Sequence, residues 1–437
     1  MLWPALPSTE ASTLLAVLFQ MQQAEQLNQG RLESLQMQQL HGLFSHLFLH
    51  EPVYRSRLDA VSFNPTKPLA PEQFRTLPIL SRAELQEMGD SAFCKHVPPE
   101  HGHIRKGMTS GSTGRALTYA KTGLADFLWN ATTLREALLA EWNFRGRLAV
   151  CRAGSKDEEH ESWGRPESIV FQTGPASVRN IRTDLPDQAQ WLTAFHPDYL
   201  ITNPTNLKSL CEWFDAHGGW GGDLKGIRTL GEVVTPELRD MCQSVFKTGI
   251  RDMYSAAEVG YIALQCPEHF HYHVMSELVL VEVLNDDGTA CKPGEIGKIV
   301  ITGMHNFAMP LIRYSIGDYA EVGEPCPCGN NLQVLKRIMG RSRNLLTFPD
   351  GKKWWPTLPP KKYLHIAPIR QMQLVQKRLD TIEVRLAVDQ PLESAQEEAL
   401  TIALRDMLKY PFTLIFTYRT ELEYGPNHKF DDFISEI

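Results

Sequence analysis

The chain is predicted to fold as α/β. A large N-terminal domain over residues 1–340 would combine parallel sheets with a β-rich subdomain, and a small α+β domain would occupy 341–437. Three observations predict this. Strand-like and helix-like segments alternate between residues 126 and 245, the pattern of parallel βαβ units. After Glu258 the texture changes to valine- and leucine-rich runs separated by turn residues. Beyond 341 the order becomes strand, strand, helix, strand.

Taken in order, Leu32, Leu35, Leu40, Leu43, Phe44, Leu47 and Phe48 recur near helical spacing until Glu51-Pro52, which marks 32–48 as an amphipathic helix. A helix at 126–142 precedes strands at 148–152 and 198–202, the second closed by Asn203-Pro204. A helix at 206–214, a strand at 226–230 and a helix at 236–245 complete the alternation. In the β-rich part, 271–284 reads as one strand, Asn285-Asp286-Asp287-Gly288 as a turn and 298–302 as another strand. The small domain reads as strands at 370–377 and 381–388, a helix at 394–408 opened by a Ser394/Glu397 capping box, and a strand at 413–418.

Composition narrows the function. With 437 residues, 43% of them hydrophobic and 22% charged, the chain can bury a large core. A net charge of −7 offers no electrostatic footprint for nucleic acid or an anionic membrane. The apolar run at 14–19 is too short to span a bilayer, and no Lys or Arg precedes Arg31 to form a signal peptide's basic region, so a cytoplasmic protein is expected. Cys94, Cys151, Cys211, Cys242 and Cys291 sit singly, as buried free thiols do.

The segment Thr109-Ser110-Gly111-Ser112-Thr113-Gly114 reads as a phosphate loop. Glycine lets the backbone approach an anion, and the hydroxyls and freed N–H groups donate to phosphate oxygens. The spacing is not that of a Walker A loop.

Further segments follow it: Gly231-Glu232-Val233; 252–260, with Tyr254 and Glu258; 310–318, ending at Asp318; Gly340-Arg341-Ser342-Arg343-Asn344; and 425–430, with Lys429. In this order they closely resemble the acyl-adenylate-forming (ANL) superfamily, specifically its phenylacetate–CoA ligase-like branch, over nearly the whole chain. The resemblance implies that 109–114 holds ATP phosphates, Gly231 and Glu232 line the adenine pocket, Tyr254 stacks on the base and Asp318 accepts from the ribose hydroxyls. It further implies that Arg341 approaches the nucleotide, Glu258 binds Mg²⁺, and Lys429 reaches the site from a mobile small domain that pivots at the hinge. This chain departs from the family's Gly-Arg-x-Asp-Asp hinge pattern, and Arg343 is the expected pivot.

The implied activity is ATP-dependent activation of a carboxylic acid, aromatic in this branch, to an acyl-adenylate. Transfer follows to the thiol of CoA or of an acyl carrier protein's phosphopantetheine. Cations would offset the repulsion as a carboxylate attacks the α-phosphorus. No Lys/Arg patch for the CoA 3′-phosphate stands out, and a monomer or homodimer is expected. Two other readings stay open: adenylyl transfer to a cofactor hydroxyl without a thiol step, and a non-catalytic zinc-stabilised binding protein.

Cys326 and Cys328 provide two close thiols, and Cys266 lies just before His269, His271 and His273. Three cysteines and a histidine make a structural zinc set. The resemblance favours His273 as the fourth ligand with His269 next, in a closed site without catalytic water.

Overall fold

The computed structural model describes residues 6–109, 116–359, 362–425 and 429–437, and it divides into two compact units, Met1–Ile338 and Met339–Ile437. Among the described residues no helix is long and apolar enough to cross a membrane.

A twelve-stranded mixed sheet organises the first unit. Strands Ala176–Asn180, Leu148–Arg152, Tyr199–Thr202, Gly226–Leu230 and Ile250–Ala256 lie side by side in that order, all parallel. Past Ile250–Ala256 the pairing turns antiparallel, through Gly260–Gln265 to Tyr272–Val274. Val334–Arg341 pairs antiparallel with Tyr272–Val274, and beyond it Tyr314–Val322, Ile296–Gly303 and Val279–Leu284 follow in that order, the last three strands as an antiparallel ladder at the sheet's edge. This is the expected α/β class, with the predicted parallel strands and β-rich part joined in one sheet. The parallel crossovers need helices, and local sequence starts them cleanly. Asn203 caps helix Pro204–Ala216 by accepting from Asn206 N at 2.8 Å, proline opens the first turn, and Leu207, Leu210, Cys211 and Phe214 bury one face. That face packs on Leu200, Ile227 and Ile250 from the sheet. Thr235 and Pro236 repeat the device for helix Pro236–Val245.

Separate from the large sheet, Ile104–Met108 and Thr118–Thr122 pair antiparallel as a hairpin. Thr122 then accepts from Ala125 N and starts helix Gly123–Leu139.

Two expectations are corrected. The run 271–284 is two strands, because residues 275–278 turn: Leu278 N donates to Met275 O at 2.8 Å, and the chain leaves the middle of the sheet for its edge. The turn contains Met275, Ser276, Glu277 and Leu278, without the Gly or Pro that would have announced it. The capping box of helix Ser394–Leu408 is also one residue earlier. Glu393 is the N-cap, and its N–H donates to Gln396 Oε1 at 3.0 Å.

In the second unit, Thr413–Arg419, Thr381–Val388, Ile369–Arg378 and Phe433–Ser435 form a four-stranded sheet in that order. Helix Ser394–Leu408 is the crossover between the parallel pair Thr381–Val388 and Thr413–Arg419. Its Leu400, Leu404 and Leu408 pack with Leu374, Ile382, Val384 and Phe412.

Candidate active site

Strand Ile250–Ala256 carries Tyr254 to the end of the parallel region, where the chain reverses. Val259 N donates to Ala256 O at 3.2 Å, and Gly260 takes φ +116°, a conformation side-chain-bearing residues rarely adopt. Glu258 sits in this turn, buried.

The neighbouring pieces come from far along the chain. Asp318 and Tyr314 lie on strand Tyr314–Val322 four positions apart, hence on one face. The Tyr254 hydroxyl donates to Asp318 Oδ2 at 2.8 Å, and the Tyr314 hydroxyl reaches Glu258 Oε1 at 3.4 Å. Burial, aided by the Glu258 carboxylate, pushes the Tyr314 phenol well up, so it stays a neutral donor.

Arg82 supplies a cation that the sequence did not suggest. Leu80 bridges to strand Tyr314–Val322, donating to Arg313 O at 2.8 Å and accepting from Ser315 N at 2.9 Å. A Ser81/Glu84 capping box then begins helix Arg82–Met88, with Arg82 as its first residue. Its Nη1 lies 3.4 Å from Glu258 Oε1, and its Nη2 donates to Thr109 Oγ1 at 2.8 Å. Thr109 is itself clamped: its Oγ1 accepts from Leu117 N at 3.0 Å and its N–H donates to Leu117 O at 2.9 Å. The phosphate-loop residues Ser110, Gly111, Ser112, Thr113 and Gly114 lie outside the described residues.

Gly231 follows strand Gly226–Leu230 with φ +82°. Glu232 Oε2 accepts from Thr205 N at 3.0 Å and Thr205 Oγ1 at 2.6 Å, which seats its carboxylate at the N-terminus of helix Pro204–Ala216.

Arg341, Arg343 and Lys429 belong to the second unit. Arg343 Nη2 donates to Asp431 Oδ2 at 2.6 Å, and Asn344 Nδ2 donates to Asp431 Oδ1 at 3.0 Å. Gly425 N donates to Lys429 O at 2.7 Å, and residues 426–428 between them lie outside the described residues. Asp431 thus ties the expected pivot to the segment carrying Lys429.

The cysteine and histidine segments also meet. One ligand atom each from Cys266, His271, His273 and Cys326 lie within 4.8 Å of one another. Cys266 Sγ is 3.8 Å from Cys326 Sγ, His271 Nε2 is 2.9 Å from Cys326 Sγ, and Cys328 Sγ is 3.5 Å from His273 Nε2. Three of the four expected ligands, Cys266, His273 and Cys326, are therefore brought together, and the fourth member of that group is His271, where His269 was ranked second; Cys328 reaches His273 but falls outside the group. Strand alternation is the reason, since positions 271 and 273 share a face. Burial first, with His271 beside it, pushes His273 down to about 4, so its imidazole is neutral and able to ligate. Soft thiols with neutral imidazoles fit zinc.

Hairpin Ile104–Met108/Thr118–Thr122, helix Gly123–Leu139 and the Glu258 turn border a cavity of about 480 Å³, lined by Arg105, Tyr119, Lys121, Asp126, Trp129, Asn130 and Ala257. Lys121 did not stand out in the sequence.

No family model matches the chain. It is 24% identical to a phenylacetate-coenzyme A ligase of Thermus thermophilus over 84% of both chains. It is 22% identical to the Escherichia coli enzyme of that name, over 81% of this chain and 82% of the relative. Among solved structures, a 2-hydroxyisobutyryl-CoA ligase in its postadenylation state, bound to the acyl-adenylate, matches with a TM-score of 0.71 at 16% identity, over 94% of this chain and 91% of that one.

Proposed function

We propose, from the premise that this chain belongs to the acyl-adenylate-forming superfamily, that it is an ATP-dependent acid–thiol ligase. It activates an aromatic carboxylic acid as the acyl-adenylate and passes the acyl group to the thiol of CoA or of a carrier protein's phosphopantetheine. The observation that carries the reading is the convergence of Tyr254, Glu258, Tyr314 and Asp318 with Arg82 and Thr109 at the base of the hydroxyl- and glycine-rich loop.

Each residue has work that suits its chemistry. Asp318 is the carboxylate that takes the ribose hydroxyls, and the Tyr254 phenol donates to its Oδ2. Glu258 is a hard oxygen donor whose contacts with Arg82 and Tyr314 are both long, which suits it to hold Mg²⁺. When bound, Mg²⁺ neutralises phosphate charge as pyrophosphate departs. Arg82, through Thr109, keeps the phosphate loop's base against Glu258. Gly231 and Glu232 border the base, Arg341 approaches the nucleotide, and Lys429 offsets the negative charge that develops at the α-phosphorus. The small domain turning about Arg343 would then exchange Lys429 for the thiol route.

The Cys266, His273, Cys326 and Cys328 set, with His271 as a further donor, holds a structural zinc that ties the ends of distant strands together. Metal analysis of the purified protein tests this, one zinc per chain being expected.

Carboxylate-dependent ATP–pyrophosphate exchange tests the main reading. Exchange with one class of aromatic acid, followed by thioester formation with CoA or a carrier protein, is the expected result. Absence of exchange with every acid would overturn it, and AMP transfer to a hydroxyl would replace it with adenylyl transfer.

A further inference from the structure

We propose that Lys121 selects the acid, and that the cavity beside Glu258 takes an aromatic acid bearing a second oxygen substituent, anionic or hydrogen-bond-accepting, which the Lys121 ammonium receives. The inference rests on the adenylate-forming reading and names the substrate class of that site.

Lys121 is only 5% exposed. It stands directly across the hairpin from Arg105 in the antiparallel register, so two cations face each other on one side of a strand pair. Among the described residues, carboxylates answer only one of them. Arg105 is held by Asp126 through two bonds, Nε to Oδ2 at 3.2 Å and Nη2 to Oδ1 at 2.8 Å. Among the described residues, the Lys121 ammonium has no carboxylate within ion-pair distance. Instead its Nζ lies 5.1 Å from the centre of the Trp129 ring and 5.6 Å from that of Tyr119. Ring faces attract a cation, but far less strongly than burial penalises it.

The titration of Lys121 registers the imbalance. Burial pulls it down from the usual lysine range to about 8, although Asp126 and Glu258 act in the opposite direction and Arg105 adds to the fall. Burying a charge without a counterion is costly, and an acceptor supplied from outside the chain offsets that cost.

The surroundings say what that something is. The cavity's roughly 480 Å³ suits a small aromatic acid, and Tyr119 and Trp129 supply flat apolar walls. Ala257, which carries only a methyl group, also lines the cavity and precedes Glu258 in the chain, on the side where the reacting carboxylate must meet ATP. Lys121 therefore addresses a second group on the same molecule, one that presents an acceptor.

The test compares an unsubstituted aryl acid with its hydroxyl, amino and second-carboxylate derivatives in pyrophosphate exchange, for the wild type and Lys121→Met. The wild type should favour the oxygen-bearing acids over the parent by ~10- to 100-fold in kcat/KM, through KM, and Lys121→Met should collapse that ratio towards unity. Whichever derivative shows the larger collapse separates a ring hydroxyl from a second carboxylate. Equal loss of kcat with every acid would overturn the proposal, because Lys121 would then be serving the common reaction. Should no acid support exchange, the enzymatic reading fails but Lys121 is still tested by titration calorimetry of the same acids. Selective loss of binding of the substituted acid in Lys121→Met supports the assignment, and identical binding to both proteins overturns it. Thermal melting guards against misfolding, since removing an uncompensated buried charge should leave Tm unchanged or raised.

Discussion

Arg228 and Lys121 are both cations buried in the first unit against aromatic rings, and they differ in one respect. Arg228, 4% exposed, has its guanidinium 4.5 Å from the Trp142 ring centre and forms an ion pair with the equally buried Glu136. Lys121, 5% exposed, has the rings of Trp129 and Tyr119 but no carboxylate within ion-pair distance among the described residues. Where the chain supplies the counterion, the charge belongs to the fold. Where it does not, the charge awaits a ligand. The same division separates Arg313, gripped by both Glu282 oxygens at 2.9 Å, from Glu258, whose two contacts are 3.4 Å long.

The largest effect that could break this comparison is on stability. Arg228→Met strands Glu136 in the interior, and breaking a buried pair from one side costs about 3–5 kcal/mol. Denaturant unfolding should show that loss, and adding Glu136→Leu should recover much of it, because two apolar side chains need no solvation. No loss of stability, the outcome expected for Lys121→Met, would erase the distinction between the two sites.

Next in size is Glu258→Gln, whose effect should fall on chemistry. Removing one preorganised charge from such a site lowers kcat by roughly 100-fold. Because the contacts of Glu258 with Arg82 and Tyr314 are long, the midpoint of unfolding should scarcely move. Pyrophosphate exchange and denaturant unfolding on the same preparation measure both. Strong destabilisation with exchange intact would put Glu258 on the Arg228 side of the division.

How much of this was legible in the sequence follows from how local each feature is. The parallel strands and their helices could be read because caps such as Asn203 and Thr235 and prolines such as Pro204 and Pro236 act within one turn of themselves. Glu258 and Asp318 stood out through the segments around them. Arg82 did not, because an arginine at the first position of a capped helix looks solvated. What carries it to Glu258 is the bridge between Leu80 and Tyr314, partners more than two hundred residues apart. His271 was within reach, since the alternation of 271 and 273 already put two imidazoles on one face. Lys121 lies beyond the loop read for its hydroxyls, and its burial depends on the hairpin and helix Gly123–Leu139 packing around it.

Asp318→Asn sharpens the comparison most finely, since it keeps the shape while removing the charge and one acceptor oxygen. Asp318 is 8% exposed, and the Tyr254 phenol donates to one of its oxygens, so the carboxylate is oriented by the chain but not neutralised by that contact. An asparagine can keep the Tyr254 bond through its amide oxygen, but it offers an NH₂ where the carboxylate had a second acceptor. A ribose hydroxyl that donated there would then meet a donor. The loss of one charge-assisted hydrogen bond predicts about a tenfold rise in KM for ATP, with kcat for exchange changed far less. An unaltered KM would remove Asp318 from the nucleotide site. A fall in kcat alone would mean that Asp318 acts through Tyr254 on the neighbouring turn, which would make the Tyr254–Asp318 pair part of the scaffold in the manner of Arg228 and Glu136.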